Sequence, residues 1–144
     1  MNNKARIRSV LLYSFANTNS ALVLGTSNKS EILLGYGTKY GDLAADIEVI
    51  GDLFKTEVIQ LADHIGLPPE IVNKAPSAEL SPGQSDEQEI GASYEELDKV
   101  LSKLEMGSQG CIDHGLSAPL VQLVFRRVKE NKHKREMPSV IKVP

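Results

Sequence analysis

Gly25, Thr26, Ser27, Asn28, Lys29 and Glu31 follow directly on the apolar run 21–24, and Thr38, Lys39 and Asp42 come soon after. A buried strand that ends in hydroxyls, amides and single charges suits an anion, because ligands of open α/β sheets bind outside the carboxyl ends of the strands. The turn from such a strand into a helix also aims unpaired backbone N–H groups outward. A second concentration of chemistry lies near the C-terminus, where Arg126, Arg127, Lys129, Lys132, His133, Lys134 and Arg135 cluster. Those cations either complement the dipole of the helix they end or bind a phosphate or carboxylate. Cys111 is the single cysteine, no Cys or His pair has zinc-type spacing, and neither a GxxxxGK loop nor a GxGxxG fingerprint occurs. Cys111 reads as an inert small side chain, and His64 and His114 read as ordinary helix and loop residues.

Hydrophobic spacing gives the elements that must position these groups. Residues 4–15 place Ile7, Val10, Leu11 and Phe15 on one side of an amphipathic helix. The run 21–24 suits a buried parallel strand, and a second helix can begin at Asn28 and continue to Leu34. Residues 46–50 form a weaker strand candidate closed by Gly51. Asp52 is the expected N-cap of a helix over 53–65, in which Leu53, Phe54, Val58, Leu61, Ala62 and Ile65 mark one face and Gly66 is the stop. Pro68 and Pro69 open a short helical turn through Val72. Residues 74–92 read as one long loop, a length usually functional or disordered. Ser93 and Glu96 make a capping box for a helix reaching Met106, with Gly107 as its C-cap. The last helix starts near Ser117, carries Pro119 in its first turn, turns Leu120, Leu123, Val124 and Val128 inward, and ends in the basic cluster. Two strand candidates against about five helices leave a doubly wound sheet incomplete.

The chain has 144 residues, 41% hydrophobic and 24% charged, which suits one globular domain. A formal net charge of −3 argues against a general nucleic-acid binder. No run of 18 apolar residues occurs, and the polar, basic segment 1–8 precedes no signal-type core, so a soluble cytoplasmic protein without membrane contact is expected.

The segments LVLGTSNKSE, GYGTKYGD, LFKTEV, KAPSAEL, GQSDE and ENKHKR occur in this order. Together they resemble the C-terminal half of the NAD synthetases, which belong to the N-type ATP pyrophosphatases. The resemblance runs from Asn2 and the Ala5-Arg6-Ile7-Arg8 pattern to Pro138. It implies a Rossmann-like α/β fold of the adenine nucleotide alpha hydrolase type, N-terminally truncated, with residues 1–144 forming the C-terminal portion of one synthetase domain. It also implies NAD biosynthesis: ATP with Mg2+ adenylates the nicotinate carboxylate of deamido-NAD, and ammonia then displaces AMP.

Carried across position by position, the resemblance assigns Arg6, Lys39, Asp46, His133 and Lys134 to deamido-NAD. Thr26, Lys55 and Ser77 fall to ATP, and Glu31 to magnesium. A carboxylate beside phosphate oxygens suits that hard cation. Lys55 would act catalytically, stabilising charge as pyrophosphate departs. A lysine in the first turn of a helix is disfavoured by the dipole, so a purely structural reason for it is weak. The loop 81–91 resembles a lid that orders over the reaction centre, where Asp86 could help position ammonia or metal. The family's homodimers imply self-association through the helix bearing Arg6.

The family's SGGxDS pyrophosphate loop is absent from these residues, so the chain alone is expected to make no NAD. Two other readings stay open: a non-catalytic dinucleotide-binding or dimerisation fragment, and another amidating ATP pyrophosphatase. Ammonia and glutamine are both open as nitrogen source.

Overall fold

A computed structural model describes residues 2–77, 80 and 83–143. Helix α1 (Asn2–Thr18) leads to strand β1 (Leu24–Gly25), helix α2 (Lys29–Leu34), strand β2 (Ile47–Glu48), helix α3 (Lys55–His64) and the short helix α4 (Pro69–Val72). Helices α5 (Asp86–Ile90), α6 (Tyr94–Leu101), α7 (Gly107–Asp113) and α8 (Ala118–Glu130) follow, with 3₁₀ turns at Leu104–Met106 and Lys132–Lys134. The strands pair in parallel, Leu24 opposite Ile47 and Gly25 opposite Glu48. The pairing is shorter than the spans 21–24 and 46–50 predict, and the first strand sits closer to Gly25.

The core lies where α6, α7 and α8 pack over α2. Leu34, Leu97, Val100, Cys111, Val121 and Val124 are wholly buried there. Leu97, Val100 and Leu101 stand at the i, i+3, i+4 spacing that puts apolar side chains on one helical face. The Ser93–Glu96 capping box forms as expected: Ser93 Oγ accepts from the Glu96 N–H, and the Glu96 carboxylate accepts from the Ser93 N–H.

The structure adds to one expectation, for α1, and corrects others. On α1 the large apolar side chains point away from the fold, Phe15 being 68% exposed, while Ala5, Ser9 and Ala16 pack inward. Small residues allow the close approach that a helix lying against the loop at Gly41 requires, since a Cβ on Gly41 would meet Ala5 Cβ at 3.0 Å. The N-cap of α3 is Phe54, not Asp52; Asp52 instead pairs with Lys29 at 2.8 Å. No residue of α3 is fully buried, so its apolar stripe is only partly covered. Residues 74–92 are not one loop, because α5 forms within them. The helix expected to reach Met106 ends at Leu101, and after the 3₁₀ turn α7 starts at Gly107. On the sheet, Leu24 and Ile47 share one face and are 59% and 47% exposed, so the described residues do not bury a parallel sheet on both sides. Among the described residues no helix is long and apolar enough to cross a membrane.

Candidate active site

Local sequence builds the first wall. Asn28 caps α2 by accepting from the Glu31 N–H at 3.0 Å, and the Glu31 carboxylate returns the bond to the Asn28 N–H at 3.2 Å. This capping box leaves Glu31 Oε1 directed at Lys55 Nζ, 3.5 Å away, longer than a charge-assisted hydrogen bond. Thr26 and Ser27 from the end of β1, Glu31 from α2, Lys55 from α3, Ser77 and the buried Asp86 of α5 line one cavity of about 260 Å³. Four sequence-predicted residues, Thr26, Glu31, Lys55 and Ser77, therefore meet, although the chain separates the first and last by half a hundred residues.

A second cavity of about 220 Å³ adjoins it, sharing Tyr36, Asp42 and Leu80, and contains Lys134 and Arg127. Lys39 donates to the carbonyls of His133 and Glu136, and Arg6 Nε donates to the Lys39 carbonyl at 3.3 Å. Arg6, Lys39 and His133 are thus linked to one another, and Lys134, next to His133, is the one of the four that lines this second cavity. Asp46 is not with them. It stands before β2, where its carboxylate accepts from the Val23 N–H at 2.7 Å and from the Tyr13 hydroxyl at 3.4 Å.

The basic cluster complements the C-terminal end of its own helix, where Arg135 donates to the Val128 carbonyl at 2.7 Å, and those of other helices as well. Lys134 Nζ donates to the carbonyls of Gly35 and Gly37, and Arg135 donates to that of Leu33, all at the C-terminal end of α2. Arg127 does the same for Glu89 on α5. Cations so placed satisfy carbonyls that a helix end leaves unpaired. Sequence reasoning passed over Tyr36, whose hydroxyl lies 3.0 Å from Asp86 and 2.8 Å from Glu89, and gave no role to Asp42, which holds the Thr38 N–H at 3.0 Å. The Tyr-Gly-Asp and Gly-Tyr-Gly punctuation around them was the available signal. Residues 81 and 82 of the expected lid, and 78 and 79 of KAPSAEL, lie outside the described residues. Asp86 is in the first cavity; His64 and His114 are in neither.

Burial raises the pKa of the Glu31 carboxyl above its ordinary value, with Lys55 pulling the other way and Asp86 adding to the rise. Burial likewise raises Tyr36, reinforced by its hydrogen bonds to Glu89 and Asp86, and raises Tyr94, next to Glu31. Lys134 is lowered by burial. For Glu31 the sign is definite. The folded state holds its proton more tightly than the unfolded chain, so the associated stability is complete below the ordinary glutamate value of 4.5 and is lost as pH rises through the higher folded value. Glu31→Gln keeps an acceptor for the Asn28 N–H without the buried charge. Its melting temperature at pH 7 is therefore expected to match or exceed that of the unsubstituted chain, the difference vanishing below the ordinary value. A lower melting temperature at neutral pH, measured by circular dichroism, would contradict this.

The family model described as NAD synthase matches residues 1–138. The chain belongs to the NAD synthase family. It is 48% identical over 142 residues to the NH(3)-dependent NAD(+) synthetase of Wolinella succinogenes, covering 96% of this chain and 55% of that protein. It is 53% identical over 140 residues to the enzyme of the same name from Methanocaldococcus jannaschii, covering 95% and 54%. Among solved structures, the NMN synthetase of Francisella tularensis superposes with a TM-score of 0.86 at 34% identity, covering 99% of this chain and 56% of that one. The NH3-dependent NAD synthetase of Campylobacter jejuni, in complex with the nitrate ion, gives 0.77 at 35% identity, covering 98% and 54%. The chain spans about half the length of the curated relatives it matches. Its small parallel sheet and surrounding helices belong to the adenine nucleotide alpha hydrolase-like fold of this NAD synthase family.

Proposed function

We propose that residues 1–144 are the C-terminal half of an ammonia-dependent NAD synthetase, which amidates deamido-NAD at the expense of ATP. The reading rests on the convergence of Thr26, Glu31, Lys55 and Ser77 on one cavity in a chain of the NAD synthase family. In the reaction a nicotinate carboxylate oxygen attacks the α-phosphorus of ATP, the bond to pyrophosphate breaks, and ammonia then attacks the carbonyl carbon, expelling AMP. Lys55 lies where it can offset the charge of departing pyrophosphate, and the hydroxyls of Thr26 and Ser77 can accept or donate to nucleotide oxygens. Arg6, Lys39 and Lys134 supply cations, and His133 a ring nitrogen, for the two phosphates of the dinucleotide, while Asp46, away from them, would contribute from the segment before β2.

Magnesium fits the donor set. Among the described residues no group of three His, Cys, Asp or Glu side chains could enclose a metal. Glu31 and Asp86 offer hard carboxylate oxygens in one cavity, which suits an ion that keeps most of its shell for water and substrate phosphates. Bound there, the ion would neutralise phosphate charge. The exposed Ile7, Val10, Leu11 and Phe15 of α1 support a homodimer formed through that helix. The reading locates the protein in the cytoplasm, with no nucleic-acid or membrane partner.

The test compares the 144-residue chain alone with the same chain joined to an SGGxDS-bearing half from a relative. Pyrophosphate release and NAD formation are measured with ATP, Mg2+, ammonia and deamido-NAD. The chain alone is expected to show neither, and the joined protein both, with chelation abolishing turnover. A joined, folded protein that binds deamido-NAD by calorimetry but releases no pyrophosphate would favour a non-catalytic dinucleotide-binding role. The structural likeness to an NMN synthetase makes nicotinate mononucleotide the competing acceptor to include.

A further inference from the structure

Helix α3 carries Lys55 at its first position, and its own side chains supply one bond at that end, Glu57 accepting from the Phe54 N–H at 2.7 Å. No residue of α3 is fully buried, and its N-cap, Phe54, offers no side-chain oxygen to the first-turn N–H groups. Those N–H groups have no acceptors within the helix and must find them elsewhere. They find them on α2 and α6. Asp98, 6% exposed, accepts from the Thr56 N–H and from the Thr56 hydroxyl, both at 2.9 Å, through Oδ2. Its Oδ1 accepts from the Ser30 hydroxyl at 2.5 Å, and Ser30 Oγ in turn accepts from the Lys55 N–H at 2.9 Å.

We infer that Asp98 is a positioning residue, which caps α3 from a neighbouring helix and so holds Lys55 against Glu31. The chain of bonds joins three helices at the residues that matter. Ser30 precedes Glu31 on α2, Lys55 and Thr56 begin α3, and Asp98 lies on the buried face of α6 beside Leu97. A carboxylate at the N-terminal end of α3 also offsets the unfavourable dipole that a first-turn lysine meets. From this anchored backbone the Lys55 ammonium reaches over the Tyr94 ring, 5.5 Å from its centroid, and towards Glu31. The inference rests on the catalytic reading of Lys55 given above, but the geometry can be tested without turnover.

The experiment is NMR of the 144-residue chain, following amide exchange at Lys55 and Thr56 and the ring-current shift that Tyr94 imposes on the Lys55 side-chain protons. Asp98→Asn and Ser30→Ala are compared with Leu97→Val, a core substitution outside this network. For both network variants the amides are expected to exchange about tenfold faster or more, the factor that one lost hydrogen bond carries. The Lys55 protons should also move towards the values of an unshielded lysine. Leu97→Val should lower the melting temperature while leaving the Lys55 signature in place. Should Asp98→Asn fail to fold, Ser30→Ala decides the question alone. An unchanged Lys55 signature in the network variants, or the same change in Leu97→Val, overturns the inference. Neither result depends on whether the joined protein makes NAD, so the two readings fail separately.

Discussion

Lys55→Met, made in the chain joined to an SGGxDS-bearing half, is expected to lower the rate of pyrophosphate release by about 10²–10³-fold, the loss typical when one preorganised charge-stabilising group is removed. Methionine keeps a stem of similar length, so contact with the Tyr94 ring persists while the charge goes. Lys55 is only 21% exposed at its side chain and sits in a cavity with Glu31 and Asp86, where water screens poorly and a charge acts strongly. The effect should fall on kcat, with KM for ATP little changed, because the ammonium is most needed when pyrophosphate carries away its full charge. A rise in KM at constant kcat would instead make Lys55 a tether for ground-state ATP. A matched melting temperature would show that the fold is intact.

The second large effect concerns backbone rather than charge. Gly35 ends α2 with φ of +63°, and a Cβ there would come within 2.1 Å of Asn131 Cβ. Asn131 cannot simply withdraw, because its Nδ2 donates to the carbonyls of Leu34 and Arg127, tying α2 to the end of α8. Gly35→Ala therefore adds left-handed strain to an overlap of two Cβ atoms. The expected cost is about 2–5 kcal/mol, from denaturant unfolding of the chain. Because the Gly35 carbonyl also receives Lys134 Nζ, the displaced segment should carry Lys134 and its neighbour His133 out of register. Affinity for deamido-NAD should then fall even at temperatures where the variant remains folded. A cost below about 1 kcal/mol would mean that the α2 and α8 ends separate freely.

Much of this was legible in short-range pattern. Asn28 with Glu31, and Ser93 with Glu96, announce helix starts because a capping box uses only residues three apart. The ordered segments from LVLGTSNKSE to ENKHKR pointed to residues that the fold then gathers into adjoining cavities. What escaped was decided at long range. Asp52 looked like the cap of α3, whereas the acceptors for that helix come from Ser30 and Asp98, remote in sequence. Helix α7 begins at Gly107, a residue that locally signals a stop, and is held by packing against α8. For α1, hydrophobic spacing identifies the apolar stripe, not whether anything among these residues covers it, and here the stripe is exposed. Asp46 also makes contacts that spacing does not announce, accepting from the Val23 N–H and the Tyr13 hydroxyl.

Cys111, at 0% exposure, sits among Leu97, Val121 and Val124, with its Sγ donating to the Lys103 carbonyl. A thiol so enclosed makes a clock for the interior. A thiol-specific reagent can modify it only while α6, α7 and α8 part, so under fast reclosing the labelling rate reports the population of the opened form. Since this is the chain's single cysteine, the signal needs no engineering and no assignment. Labelling the chain alone and again after joining would show how far the rigidity of the helical core is borrowed from the rest of a synthetase.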